Sequence, residues 1–209
     1  MKHSLNRIIV WGHDLLGDVV VPGDLAVDLT AGRGQDSLAL LRMVGGAGQI
    51  VAFDVQQAAL AATQQRLQAA GGEVRRHESG GTRLCRAAGV DLLPVCHSTF
   101  SAVVPGRPRA VIANLGYLPG GDQQLITQPE TTITALRQSA ADLATGGRLA
   151  VVVYPGHPGG AEEALAVADF FTALDPLVFD VLNLQLSNRR QAPALFVAEK
   201  KTDERSHRC

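Results

Sequence analysis

The stretch Leu25–Val55, LAVDLTAGRGQDSLALLRMVGGAGQIVAFDV, decides the fold. It begins with the short apolar run LAVDL (25–29), passes through a glycine-containing loop, TAGRGQD, and ends with a second apolar run, QIVAFDV (49–55). Between the two runs, SLALLRMV has apolar residues at helical spacing and stops at Gly45-Gly46, as helices commonly do. A strand, a glycine loop, a helix and a second strand in this order predict a β-α-β unit with parallel strands.

The remaining sequence continues the alternation of strands and helices. Further strands are predicted at 90–95, 109–114, 148–154, 177–186 and 194–200, and helices at 57–70, 129–147 and 161–174. The segment 73–89 is polar and arginine-rich, which predicts an extra turn or a short helix. We therefore expect an α/β fold with a Rossmann-like, doubly wound, mostly parallel sheet, in which the last two strands form an antiparallel hairpin at one edge.

The two ends of the chain have separate characters. Apolar residues at three- and four-residue steps predict an amphipathic helix within the first twenty residues, with Ser4 as its N-cap. The apolar run there is too short and too interrupted for a signal peptide or a membrane span. Residues 1–200 are expected to form a single domain, because no repeat or low-complexity linker divides them. The tail 201–209 is charged and is expected to be disordered.

Composition narrows the classes of partner. The 209 residues carry a formal net charge of −1, with 46% hydrophobic and 19% charged residues, so RNA contact would need a local basic patch. The three cysteines, Cys85, Cys96 and Cys209, are an odd number at irregular spacing, which favours reduced thiols in the cytoplasm. Cys96 and His97 are adjacent, but no second pair lies at zinc-ligand spacing, so no metal site is expected.

The glycine loop and the acid after the second strand predict a nucleotide-type cofactor. Gly32 and Gly34 allow a tight turn, and a carboxylate at Asp54 accepts hydrogen bonds from both hydroxyls of a ribose. Dinucleotide sites prefer a third glycine where Ser37 stands, and Asp28, just before the loop, would repel a pyrophosphate. The same carboxylate suits the cationic amino-acid end of S-adenosylmethionine. The pattern therefore favours this methyl donor over NAD.

A second unusual stretch is VIANLGYLPGGD (111–122), where an apolar strand leads directly into an aromatic residue, a proline and three glycines. Together with DLTAGRGQDS, AFDVQ, PETTITAL, YPGHPGGAEE and AEK, it resembles the YtqB-like family of putative rRNA methylases. The resemblance runs from about Asp24 to Lys200. It implies a class I methyltransferase with S-adenosylmethionine as cofactor. The family includes enzymes that methylate the aminomethyl group of 5-aminomethyl-2-thiouridine at the tRNA wobble position, so tRNA is the implied partner.

The resemblance also implies which residues bind the cofactor. The glycine loop would contact the methionine half, the acid before the loop would lie near the ammonium, and the acid after the second strand would hold the ribose. Residues after the third strand would flank the adenine. In sequence order, these cofactor-binding residues are Asp28, Gly32, Arg33, Gly34, Gln35, Asp54, Gln56, Cys96 and His97.

The acceptor amine is expected at the loops after the fourth and fifth strands. Methyl transfer is an in-line displacement, so a neutral amine must aim its lone pair at the methyl carbon from about 3 Å. The Asn114 side chain and the Leu115 carbonyl would accept the amine's N–H bonds, Tyr117 would stack on the base, and His157 would take the proton. The implied catalytic residues are Asn114, Tyr117 and His157, and the implied substrate-binding residues are Leu115, Tyr117, Pro119, Asp122, Arg189 and Arg190.

Two alternatives stay open. A methyltransferase that acts on a small metabolite would fit the near-neutral charge, and a non-catalytic Rossmann-like protein would keep the cofactor pocket without turnover.

A second group of arginines, Arg75, Arg76, Arg83 and Arg86, offers another place for RNA phosphates. The apolar edge strands allow a homodimer.

Overall fold

In the computed structural model, the described residues are 4–78, 83–116, 127–156 and 159–203, and within them eight strands form one sheet. In chain order the strands are β1 Leu25–Asp28, β2 Gln49–Phe53, β3 Val74–Arg76, β4 Gly89–Leu93, β5 Ala110–Asn114, β6 Arg148–Val153, β7 Phe179–Gln185 and β8 Ala194–Lys200. The helices are α1 Ile8–Gly17, α2 Gln35–Val44, α3 Gln57–Ala69, α4 Phe100–Val103, α5 Pro129–Asp142 and α6 Gly160–Thr172, with a 3₁₀ turn at His97–Thr99.

The strand order across the sheet is β3-β4-β2-β1-β5-β6-β8-β7. From β3 to β6 all neighbours are parallel, and β8 runs antiparallel to both β6 and β7. The chain moves outward from β1 to β2 and β4, then returns to the other side of β1 as β5. The doubly wound sheet and its antiparallel edge hairpin are confirmed. The change of direction beside β1 opens a crevice at the carboxyl ends of β1, β2 and β5.

The central strands are buried on both faces, as a parallel sheet covered by helices requires. All residues of β1, β2 and β4 are buried, so these strands are continuous apolar runs with only a few polar residues. Along β1, Val27 packs into one core and Ala26 into the core on the opposite face. Ile112 of β5 joins the Ala26 side. This double cover fixes the carboxyl ends of the central strands in place.

One local prediction was wrong, and another missed a strand. Helix α1 begins at Ile8 with Arg7 at the N-cap position and without a side-chain cap, so Ser4 does not cap it. In the segment 73–89, the described residues contain the edge strand β3 and no helix. Charge explains the strand, because Asp91 in the neighbouring strand accepts two hydrogen bonds from the Arg75 guanidinium, at 2.8 and 2.9 Å.

The opposite edge of the sheet is β7, whose middle residues are exposed. Val181 and Leu182 are 42% and 44% exposed, and these are the apolar edge residues on which the homodimer prediction depends. That prediction stays a prediction. Among the helices of the described ranges, none has the length and apolar character to cross a membrane.

Candidate cofactor and active site

A cavity of about 740 Å³ lies at the crevice predicted by the strand order. Its walls come from the loops after β1, β2, β4 and β5, from α1, and from the turn between β7 and β8. This volume is within the range of small-molecule sites, roughly 300–1,000 Å³. Elements from both halves of the sheet therefore meet around one open cavity.

The glycine loop forms one wall and needs its glycines. Gly32 and Gly34 have φ angles of 53° and 74°, the left-handed region that side chains other than glycine rarely adopt. A Cβ at Gly34 would lie 2.9 Å from the Thr63 Cα of α3. The Thr63 hydroxyl donates a hydrogen bond to the Gly32 carbonyl at 3.0 Å. The loop is therefore pressed against α3, and its backbone faces the cavity.

Asp54 joins the glycine loop to the end of β2. Its Oδ2 accepts a hydrogen bond from the Gly32 backbone N–H at 2.9 Å, and its Oδ1 accepts one from the Gln56 N–H at 2.8 Å. Burial raises the pKa of the Asp54 carboxyl, and the two backbone hydrogen bonds lower it. Each carboxylate oxygen has a second lone pair. Asp54 lines the cavity, so it combines a structural role with lone pairs that are open to a ligand, and its expected contact with a ribose stays a prediction.

Asp28 lies beneath the loop and is fully buried. Its carboxylate accepts hydrogen bonds from the Thr30 backbone N–H at 3.0 Å and from the Ser37 hydroxyl at 2.6 Å. Burial and the nearby charge of Asp36 raise its pKa to about 7. Thr30 and Asp36 line the cavity, whereas Asp28 does not line it and supports the loop from beneath. Its expected contact with a cofactor ammonium stays a prediction.

His97 has a buried ring nitrogen, Nε2, to which none of the described residues donates a hydrogen bond. Its Nδ1 lies 3.2 Å from the Leu29 carbonyl oxygen, which only accepts, so Nδ1 carries the proton. Burial lowers the pKa of the imidazole, which keeps the ring neutral. Nε2 is then a bare acceptor, and it is buried with no hydrogen-bond partner among the described residues. Because buried polar atoms are normally paired, this nitrogen fits a ligand donor such as the exocyclic amine of an adenine.

Asn114, at the end of β5, faces the same cavity from the opposite side. Its backbone N–H donates to the Thr30 hydroxyl at 2.8 Å, which ties β5 to the loop after β1. Its side-chain Nδ2 lies 3.4 Å from Asp36 Oδ2. Tyr154 is next to Asn114. Burial and, to a smaller extent, the negative charge of Asp36 raise the pKa of the Tyr154 hydroxyl to about 12. The hydroxyl is therefore neutral.

The structure brings most of the sequence-predicted residues around this cavity. Its walls include Gly32, Arg33, Gln35, Asp54, Gln56, Cys96, His97, Asn114 and Leu115, whereas Asp28 and Gly34 lie behind the wall. Tyr117, Pro119, Asp122 and His157 lie outside the described residues. Arg189 and Arg190 are exposed in the turn between β7 and β8, just before Gln191 and Pro193, which line the cavity.

Several cavity residues were missed by sequence reasoning. Asp36 and Tyr154 line the cavity, and His13 contacts Asp36 from α1 at 2.6 Å. The loop string GRGQD contained a signal for Asp36, since the first turn of a helix after a glycine loop faces the ligand crevice. Gln191 has a φ of 54°, the one positive value outside glycine in the described part of the chain. A single sequence carries no signal for that conformation or for His13.

The comparison with family models decides the relationship. The model described as "Putative rRNA methylase" matches residues 50–200. The chain belongs to this family. Membership confirms the resemblance seen in the sequence, and it is consistent with the class I methyltransferase architecture of the sheet.

Known relatives agree with this assignment. A chloroplastic tRNA (mnm(5)s(2)U34)-methyltransferase from Arabidopsis thaliana is 37% identical in an alignment of 190 positions that covers 88% of this chain. This chain spans 65% of the length of that curated relative. Among solved structures, a putative rRNA-methylase from Clostridium thermocellum has 32% identity and a TM-score of 0.84, covering 96% of this chain and 100% of its own. A putative methyltransferase from Streptococcus mutans, in complex with SAH, has 35% identity and a TM-score of 0.79, covering 96% and 99%.

The raised pKa of Asp28 predicts a pH-dependent stability. Its pKa is 3.8 in a model peptide and about 7 in the folded protein, so between these values the folded state holds a proton that the unfolded chain has lost. Stability from this group is therefore present at low pH and is lost as the pH rises toward 7. Asp28→Asn does not titrate, so the melting temperature of the variant minus that of the parent should increase from pH 4 to pH 8. Exposed Asp169→Asn is the control, and a constant difference for Asp28→Asn would contradict the assignment.

Proposed function

We propose that this chain is an S-adenosylmethionine-dependent methyltransferase that N-methylates the aminomethyl group of a wobble uridine in tRNA. The observation that carries the proposal is that one cavity is lined both by Asp54 and His97, which follow β2 and β4, and by Asn114 and Leu115 at the end of β5, on the other side of β1. The printed name of the Arabidopsis relative supports the nucleoside, and the SAH complex of the Streptococcus relative supports the cofactor.

The cofactor side of the cavity fits a nucleoside. Asp54 offers carboxylate lone pairs to ribose hydroxyls while it holds the loop through Gly32. His97 Nε2 is a buried acceptor that an adenine amine would satisfy. When bound, S-adenosylmethionine supplies a methyl group that is already activated on a sulfonium sulfur. The residues of this wall therefore need to bind and orient, and no metal is required for the chemistry.

The acceptor side fits a neutral primary amine. Such an amine has two N–H bonds and one lone pair. Asn114 and Leu115 line the cavity, and we assign the Asn114 side-chain carbonyl and the Leu115 backbone carbonyl to accept the two N–H bonds. Accepting both N–H bonds there would leave the lone pair as the one group able to face the methyl donor. Stacking by Tyr117, shaping of the wall by Pro119, contact with the base edge by Asp122 and proton removal by His157 belong to the proposal as predictions from the family resemblance.

RNA phosphates would bind beside the mouth of the cavity. Arg189 and Arg190 are exposed next to Gln191, which lines it. The other arginine group is engaged with the protein itself, since Arg75, Arg76, Arg83 and Arg86 all donate hydrogen bonds to protein oxygens. We therefore assign phosphate binding to Arg189 and Arg190. The free thiols Cys85 and Cys96 support a reducing compartment, and we propose the cytoplasm.

The first experiment follows labelled methyl groups from S-adenosylmethionine into tRNA that carries unmethylated aminomethyl-uridine, with nucleoside mass analysis. We expect label on the wobble nucleoside. Asn114→Ala should lower kcat about 100-fold, because a misoriented amine loses alignment with the methyl carbon. Binding of S-adenosylhomocysteine should stay within about twofold, since the Asn114 backbone bond to Thr30 is unaffected.

Each other outcome of that experiment has a clear meaning. Label on a different nucleoside would keep the enzyme class and overturn the substrate. Cofactor binding without label on any RNA would contradict the proposed function and point to a small-molecule acceptor or to a binding protein. An Asn114→Ala variant with unchanged kcat would remove Asn114 from the acceptor site.

The phosphate assignment predicts a separate effect on RNA affinity. Reversal of both charges in Arg189→Glu/Arg190→Glu should weaken tRNA binding at least about tenfold and reduce its salt dependence, with cofactor affinity unchanged. The matched control is Arg42→Glu/Arg137→Glu, which makes the same charge change at exposed positions away from the cavity walls. Equal tRNA affinity in the two double variants would rule out this patch.

A further inference from the structure

Asp36 is a buried carboxylate in the cavity wall with two defined partners. It is 5% exposed and lies in the first turn of α2, directly after the glycine loop. Its Oδ1 is 2.6 Å from His13 Nε2, and its Oδ2 is 3.4 Å from Asn114 Nδ2. The cofactor and acceptor roles described above leave Asp36 and His13 without a function, although Asp36 touches the residue on which the acceptor site depends.

The Asp36 charge decides which way the Asn114 amide points. An amide oxygen turned toward the carboxylate would be repelled, whereas the amide N–H₂ donates to it. The Asn114 Nδ2 lies 3.4 Å from Asp36 Oδ2, so the amide N–H₂ is the end of the side chain that faces the carboxylate. With its nitrogen held toward Asp36, the amide directs its carbonyl oxygen away from that carboxylate, and Asn114 lines the cavity.

His13 holds Asp36 in the orientation that this arrangement needs. The imidazole side chain is 20% exposed and reaches Asp36 from α1, which also places Ile9 in the cavity wall. A proton on Nε2 makes His13 the donor to Oδ1, so Oδ2 is left for Asn114. Asp28 is the other carboxylate close to Asp36. Without His13, the Asp36 carboxylate would lie beside Asp28 with one hydrogen-bond partner fewer.

We propose that His13 and Asp36 are positioning residues that set the Asn114 amide with its carbonyl oxygen toward the acceptor amine. This inference rests on the proposed function. It also names the acceptor class, because a fixed carbonyl oxygen beside the Leu115 carbonyl selects a group with two N–H bonds. A primary amine satisfies both oxygens, whereas a hydroxyl or a secondary amine leaves one unpaired. The arrangement therefore favours transfer of a single methyl group to a primary amine.

An exchange of the two side chains tests the proposal. Asp36→Asn removes the charge that orients the amide, so kcat should fall about tenfold, with KM for tRNA and affinity for S-adenosylhomocysteine within about threefold. Asn114→Asp places two carboxylates together and should lose about 100-fold. In Asp36→Asn/Asn114→Asp, the new amide donates to the new carboxylate, whose other oxygen serves the amine. The double variant should be about tenfold more active than the product of the single effects predicts.

The NMR resonance of the Asn114 side-chain amide reports the orientation of that amide without any need for enzymatic turnover. The Asn114 side-chain amide resonance, identified by its loss in Asn114→Asp, should shift in Asp36→Asn and, to a smaller extent, in His13→Gln. Exposed Asp169→Asn is the control and should leave it unchanged. If wild type methylates no RNA, the proposed function fails, and this resonance still decides whether Asp36 orients Asn114.

Four results would overturn the inference while the proposed function stands, and three of them show no effect or no coupling. These are an unmoved amide resonance in Asp36→Asn, an unchanged kcat in that variant, and strictly multiplicative effects in the double variant. A parallel loss of kcat and S-adenosylhomocysteine affinity in Asp36→Asn would instead make Asp36 a cofactor ligand. That result would also overturn the positioning role.

Discussion

The carboxylate of Asp54 is the constraint on which the rest of the site depends. It accepts backbone hydrogen bonds from Gly32 and Gln56 at once, so it holds the glycine loop against the end of β2. That pairing is possible because β1 and β2 are adjacent parallel strands whose carboxyl ends lie side by side. The proposed ribose contact uses the lone pairs that remain. One partly buried carboxylate therefore fixes the loop geometry and, in our proposal, also binds the cofactor.

On the acceptor side, a polar contact likewise ties the loop after β1 to the end of a neighbouring strand, here β5. Thr30, in the loop after β1, accepts the Asn114 backbone N–H at the end of β5, so each side of β1 is tied to the next strand by a short polar contact. The apolar cover on both faces makes these contacts rigid, because the strands cannot slide without exposing core residues. A methyl donor and an amine held on opposite sides of β1 would then meet at a fixed distance.

Local sequence patterns predicted the central strands and the glycine loop, but they could not predict contacts between residues far apart in the sequence. The two strands, the glycine loop and Asp54 follow from periodicity and from the spacing of two glycines and an acid, all within 31 residues of the sequence. His13 meets Asp36 across 23 residues, and Asn114 meets Asp36 across 78, so their pairing depends on strand order. The strand β3 was missed because Arg75 looks solvent-facing until Asp91 is placed beside it.

The most direct measurement is a calorimetric cycle with two ligands and two proteins. S-adenosylhomocysteine and its analogue without ribose hydroxyls are each titrated into wild type and Asp54→Ala. Because hydrogen bonds to a charged group contribute about 1.5–3 kcal/mol each, we predict that either change alone weakens binding at least about 100-fold and that the two together add little more. Unchanged affinity in Asp54→Ala, or fully additive losses, would contradict the account of Asp54 as the residue that binds the cofactor ribose.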